Sequence, residues 1–262
     1  MTTLPIYQVD AFSENIFEGN PAAICPLQSW LSDEQMQKIA MENNLAETAF
    51  IVPFEDAYQI RWFTPTVEVA LCGHATLASA HCFYEQLGYD KEHIRFFSKS
   101  GWLTVTRTTN GKFTLDFPAD YAKETPAPSG IFEGLGISPR TVYTGKFDFL
   151  VELENEAAVN ALMPDFRKLA TIESRGILIT AKGDQADFVS RCFFPQSGID
   201  EDPVTGSAHC LLTTYWNKKT GNLKFDAIQL SLRKGKLECE LKGDRVLMTG
   251  SAKTYLKGEI YI

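Results

Sequence analysis

A chain of 262 residues with 44% hydrophobic and 22% charged residues has the make-up of a folded globular protein, long enough for one large domain or two of about 130 residues. The formal net charge of -8 opposes a phosphate backbone, and the basic residues form no run longer than Lys218-Lys219 or Arg233-Lys234, so no nucleic-acid partner is expected. No apolar stretch approaches the roughly 20 residues that span a bilayer, and MTTLPIYQVDAF lacks the pattern of a signal peptide, so a cytoplasmic protein without a membrane role is expected.

In chain order, IYQVDAF (6–12) reads as a strand. A helix begins near Ser32, where SDEQ supplies a capping box and residues 31–39 an apolar face. TAFIV (48–52) and YQIRWF (58–63) read as strands, and CGHATLASAHCFYEQLG from Cys72 as a helix that is apolar or small nearly all round and stops at a glycine. LTVTR (103–107) and KFTLDF (112–117) are strands joined through an Asn-Gly turn. The Pro-rich stretch PADYAKETPAPSG (118–130) marks the expected boundary between an N-terminal half, 1–118, and a C-terminal half, 130–262, whose last strand is free to pack on the first half.

The second half continues with FLVEL (149–153), a counterpart of the first helix over 156–170, GILIT (176–180), and a second all-round apolar helix, TGSAHCLLTTYWNKKTG from Thr205. The strands IQLSL (228–232), KLECEL (236–241), RVLMTG (245–250) and EIYI (259–262) close it. Short, mostly antiparallel sheet with a few helices predicts an α+β fold. Six cysteines (25, 72, 82, 192, 210 and 239) without a CxxC pair predict reduced thiols, most of them core residues.

The two halves repeat. KIAMENNLAETAFIVPFEDAYQIRWFTP from Lys38 aligns without a gap on KLATIESRGILITAKGDQADFVSRCFFP from Lys168, an offset of 130, and the pattern R-x-F-x-P recurs as Arg61-Phe63-Pro65 and Arg191-Phe193-Pro195. The alignment sets Glu47, a carboxylate inside the apolar run LAETAFIV, against Ile177. A buried, unpaired carboxylate costs several kcal/mol, so Glu47 stands either on a solvated face or in an acid/base role, its pKa raised by apolar walls.

The two glycine-opened helices offer free N–H groups that suit a carboxylate or enolate if both point into one cleft, with His74 and Ser207 in their first turns and Gly73 and Gly206 allowing close approach. A Ser there is also an ordinary cap, and a lone His an ordinary core or surface group. Asp202 in EDPVTGSAH either caps the second helix or accepts from a substrate amine or hydroxyl. The four histidines form no HxxxH or HxH group, and no Walker loop or GxGxxG occurs, so neither a metal nor a nucleotide cofactor is expected.

With these residues assembled, the chain resembles the phenazine-biosynthesis PhzF-like isomerases of the diaminopimelate epimerase superfamily. The resemblance rests on VDAF (9–12), GNPAA (19–23), ETAF (47–50), RWFTPTVEVALCGHAT (61–76) and EDPVTGSAH (201–209), in that order. It implies two similar halves, each a barrel-like sheet wrapped round a central helix, with the active site in the cleft between them and the chain a homodimer. It also implies that Glu47 is a cofactor-independent general acid/base acting on a small anionic substrate. His74, Asp202 and Ser207 are then catalytic partners, and Gly73, Gly206, Asn20 and Thr205 bind substrate.

Epimerases of this superfamily carry facing cysteines at the two helix starts; here the positions hold Cys72 and Thr205. A threonine hydroxyl is too weak an acid to partner a thiolate. Single-base proton transfer is therefore favoured over a thiol-dependent epimerase, and Cys72 is expected to be a packing residue. A non-catalytic small-anion binder of the same fold stays open. Asn20, Tyr143 and Asp226 are the loop positions expected to tune specificity.

Overall fold

In the computed structural model, which describes residues 2–262, β1 (Thr3–Ala11) pairs antiparallel with β2 (Asn20–Pro26). The predicted capping box forms at α1 (Asp33–Asn43): the Gln35 N–H donates to Ser32 Oγ at 3.2 Å and Gln35 Oε1 accepts from the Ser32 N–H at 3.3 Å. Asn44, in the left-handed region at φ 48°, ends the helix. Met36, Ile39 and Ala40 bury the inner face of α1 against Phe50 and Phe63, whose rings meet edge-on at 5.6 Å. Truncating the fully buried Met36 to Ala is expected to cost about 2–5 kcal/mol.

β3 (Glu47–Phe54) lies parallel to β2 and antiparallel to β4 (Ala57–Phe63), across a tight turn with Glu55 at φ 53°. After the short β5 (Glu68–Val69) comes α2 (Gly73–Gln86), buried from His74 to Tyr84 and packed against β1, β2 and β3. β6 (His93–Ser98), parallel to β4, then runs antiparallel to β7 (Gly101–Arg107), which pairs with β8 (Phe113–Pro118).

The Pro-rich stretch is not a bare linker. β9 (Lys123–Thr125) lies within it and, after α3 (Ile131–Leu135), pairs with β10 (Val142–Thr144), which in turn pairs with β11 (Asp148–Glu152). The expected 156–170 helix is two short ones, α4 (Glu156–Asn160) and α5 (Phe166–Leu169). Pro164 disfavours helical backbone at the residue before it, and Asp165 starts the second helix as its N-cap, accepting from the Lys168 N–H at 3.2 Å.

β12 (Gly176–Lys182) is parallel to β11 and antiparallel to β13 (Phe188–Phe193). α6 (Gly206–Thr220) is buried over most of its length and ends at Gly221. β14 (Lys224–Gln229) runs parallel to β13 and antiparallel to β15 (Gly235–Lys242), followed by β16 (Arg245–Gly250). The last strand, β17 (Ala252–Tyr261), pairs with β1 along its length.

Two units result: one ends at Asp116 and takes back Thr249–Ile262, the other is Phe117–Met248. The second unit thus begins at Phe117 rather than 130, and β17 is part of the first unit, because its backbone groups find their partners on β1.

The repeat reaches the side chains. Arg61 grips Glu68 with Nε at 2.7 Å and Nη2 at 2.8 Å, over the Phe63 ring at 5.2 Å; Arg191 grips Glu201 at 2.7 and 2.8 Å, over Phe193 at 5.2 Å. The register, however, shifts by one. Thr48 faces Phe63 in the first unit, 15 positions away, whereas Ile177 faces Phe193 in the second, 16 positions away, so the second hairpin is one residue longer between equivalent partners. The counterpart of Glu47 is therefore Gly176, not Ile177. A Cβ on Gly176 would lie 2.3 Å from the Phe194 ring, so this unit has no room for a side chain there.

Candidate active site

Glu47 opens β3 three residues after the left-handed Asn44, opposite Ala22 of β2. Its side chain is 12% exposed, and Oε2 lies 3.1 Å from His74 Nε2, an ion-pair contact. His74 itself is buried in the first turn of α2. Burial lowers its pKa, but the neighbouring Cys72 and Glu47 raise it more, leaving the imidazole well above its ordinary 6.5. Cys72 is pushed up to about 11, first by burial and then by the Glu47 charge. It is therefore a neutral thiol at neutral pH.

The other ring nitrogen, Nδ1, faces Asn20 Nδ2 at 3.2 Å and Cys72 Sγ at 3.6 Å. Asn20 is fully buried at the start of β2 and is delivered there by the loop from Phe12 to Gly19. That loop turns on Gly19, at φ 69°, where a Cβ would sit 2.2 Å from the Ala11 carbonyl oxygen. The Phe17 N–H donates to the buried Asp10 carboxylate at 3.0 Å and ties the loop to β1. Asn20, expected among the substrate-binding residues, thus meets His74. Its planar amide can serve either imidazole state, donating Nδ2–H to a neutral Nδ1 or turning Oδ1 to accept from an imidazolium.

Cys72 is more than a packing residue, since its sulfur is part of this cluster. Glu47, Cys72 and His74 present donor atoms within 4.8 Å of one another, the set that could hold a metal ion. Yet Glu47 addresses Nε2 and Cys72 addresses Nδ1, opposite corners of the ring, whereas one ion takes one of them. The arrangement suits a line of proton-sharing groups better than a chelate. Gly73 begins α2, and Cys72 makes no side-chain cap there. Helix starts in general leave their first N–H groups without intrahelical partners, which suits them to an anion.

The remaining candidates lie in the second unit. Asp202 and Thr205 are buried, and the Thr205 hydroxyl donates to Asp202 Oδ2. Thr205 Oγ1 is thereby committed to a carboxylate rather than offered as an acid. Gly206 starts α6 and Ser207 follows it, half-buried. The buried His209 donates Nδ1–H to the Thr205 carbonyl at 2.8 Å, and burial lowers its pKa to about 4, so it is neutral. Gln229, which pattern reading passed over as one polar residue of a strand, is fully buried against Asp202 and Thr205. Tyr143 packs edge-on against Tyr215 at 5.1 Å, and the Asp226 N–H donates to Asp187 at 2.7 Å. Among the described residues no helix is long and apolar enough to cross a membrane.

A family profile described as Phenazine biosynthesis-like protein matches residues 9–258. The chain belongs to this family. With it comes the class of enzyme, an isomerase. An uncharacterized isomerase of Pseudomonas aeruginosa is 49% identical over 257 residues, covering 98% of each chain, and one of Halalkalibacterium halodurans is 47% identical over the full length of both. The crystal structure of a PhzF-family protein from Enterococcus faecalis superposes with a TM-score of 0.96 at 44% identity over all of both chains. A hydroxyproline epimerase from Agrobacterium vitis shares the fold alone, at a TM-score of 0.63 and 9% identity over 98% of this chain and 92% of its own.

Proposed function

We propose that this PhzF-family isomerase moves a proton between carbon atoms of a small carboxylic acid without a cofactor, with Glu47 as the single acid/base. The observation that carries the reading is the Glu47–His74 contact of 3.1 Å between two groups largely withdrawn from water, at a helix start left without a side-chain cap. A carboxylate beside an imidazolium is a base ready to accept a proton from an activated C–H. As that C–H bond breaks and an O–H forms on Glu47, the electron pair delocalises onto the substrate as an enolate, which the imidazolium and the first N–H groups of α2 stabilise. Glu47 then returns the proton to a different carbon, and the double bond shifts. Asp202 and Ser207 complete the proposal as substrate-orienting groups.

The test is NMR in deuterated water, with wild type and Glu47→Gln incubated with small unsaturated, amino and hydroxy acids. Deuterium entering at carbon with wild type, and a loss of about 10²–10⁴-fold in the variant with the fold intact, is the expected result. Full exchange by Glu47→Gln would overturn the assignment. Ligand binding by both proteins with no exchange in either would point instead to a small-anion binder.

A further inference from the structure

Pro203 leaves a gap in the hydrogen bonding of the loop that leads into α6, because it has no N–H to give a neighbouring strand. The loop is fastened all the same. At its start the Asp202 N–H donates to the Cys192 carbonyl of β13 at 3.0 Å. From the end of β14, Gln229 Nε2 donates to the Asp202 carbonyl at 2.7 Å, and Gln229 Oε1 accepts from the Thr205 N–H at 2.8 Å. Just beyond the strand, Ser231 Oγ donates to the Pro203 carbonyl at 2.6 Å. A carboxamide offers one acceptor and a donor pair, much as a peptide unit does. Gln229 thus replaces a strand neighbour that a proline-containing loop cannot have.

The repeat sharpens this. β6 pairs with β4 as β14 pairs with β13, and the register that puts Ser190 opposite Gln229 puts Ser98 at the matching place in the first unit. Ser98 turns into its own hairpin, donating to the Gly101 carbonyl at 2.9 Å. The carboxamide bridge belongs to the second unit, where Asp202 stands before the helix.

We propose that Gln229 is a positioning residue of the site: by clamping both ends of the Asp202–Thr205 loop it sets the Asp202 carboxylate, through Thr205, and the first N–H groups of α6 in the geometry that holds substrate. The proposal rests on the proton-transfer reading above for its effect on turnover, but its effect on the loop stands apart from that reading. Gln229 touches no reacting atom; it acts through Asp202 and Thr205.

Gln229→Leu removes both ends of the bridge. Gln229→Glu, in its ionised form, keeps the acceptor for the Thr205 N–H and loses the donor to the Asp202 carbonyl, so it is a second variant, assayed at alkaline pH where the buried carboxyl gives up its proton. Ser98→Ala, in the matching strand end, is the control. Deuterium-exchange turnover, split into kcat and KM, is measured alongside amide hydrogen exchange at Thr205. Gln229→Leu is expected to lower kcat/KM about 10²-fold, the scale of a misplacement of about 1 Å, with faster exchange at Thr205. Gln229→Glu should retain the Thr205 protection while still losing kcat/KM, and Ser98→Ala should change neither. Unchanged kcat and KM in folded Gln229→Leu, with only a lower melting temperature, would overturn the proposal. If wild type turns over no acid, the proton-transfer reading fails by itself. Thr205 exchange then decides the clamp: unchanged protection in Gln229→Leu overturns it, and lost protection upholds it.

Discussion

Replacing Glu47 by Gln should lower the pKa of His74. At 3.1 Å and an effective dielectric of ~20, the carboxylate attracts the imidazolium by about 5 kcal/mol. Together with the neighbouring Cys72, this attraction outweighs the burial of His74. Without the carboxylate only Cys72 opposes burial, and the pKa of the imidazole falls. The sign carries over to stability. In wild type the contribution of His74 is fully present below its unfolded pKa of about 6.5 and is lost as the pH rises through the raised folded value. In Glu47→Gln that alkaline loss shifts to lower pH, following the lowered pKa of His74. Imidazole nitrogen NMR on histidine-labelled protein reads this directly, with His74→Gln to assign the signal; burial lowers His81 and His209 to about 4, so both are neutral at pH 7. Identical His74 titrations in wild type and variant would refute Glu47 as the group that holds the proton.

Further outcomes follow from other parts of the structure. Because His209 is held neutral by burial, stability should fall as pH drops from 6.5 to about 4, by about 3 kcal/mol from this residue, and His209→Gln should flatten that part of a urea-denaturation series. Arg191→Lys keeps a charge but loses the fork on Glu201 and the bond from Nη1 to the Leu162 carbonyl at 2.8 Å; a loss of about 2 kcal/mol in chemical denaturation is expected. Gly19→Ala drives a Cβ into the Ala11 carbonyl at a left-handed φ, so a loss of about 2 kcal/mol or more should accompany impaired turnover as Asn20 is displaced from His74. Cys72→Ala should retain carbon-deuterium exchange, since Thr205 Oγ1 is bound to Asp202 and offers no second acid; loss of exchange would favour a thiol-dependent epimerase.

Much of the layout was legible in the chain because its signals are local. The capping box at Ser32, the glycine after α6 and the all-round apolar character of α2 and α6 each involve residues within a few turns of one another, and each appears where it was expected. The repeat was legible too, down to Arg61 and Arg191. Glu47 was conspicuous because a carboxylate in an apolar run has to be accounted for by a partner or by water.

Tertiary structure decided what depends on separations that local pattern does not carry. One extra residue in the β12–β13 hairpin moved the counterpart of Glu47 from Ile177 to Gly176, since register is set by hairpin length as well as by apolar alternation. β17 found its partner in β1, at the other end of the chain. Asn20, predicted to touch substrate, came to rest on His74, 54 positions away, and Cys72 turned its sulfur to the same ring. Gln229 looked like one polar residue in a strand until the fold brought it beside a loop that Pro203 had left short of a donor. The sequence by itself determined α1, α2, α6 and most of the strands, and which residue carries an unexplained charge. Only packing decided the partners of that charge, because a buried polar group takes whatever donor or acceptor the finished fold places within about 3 Å of it.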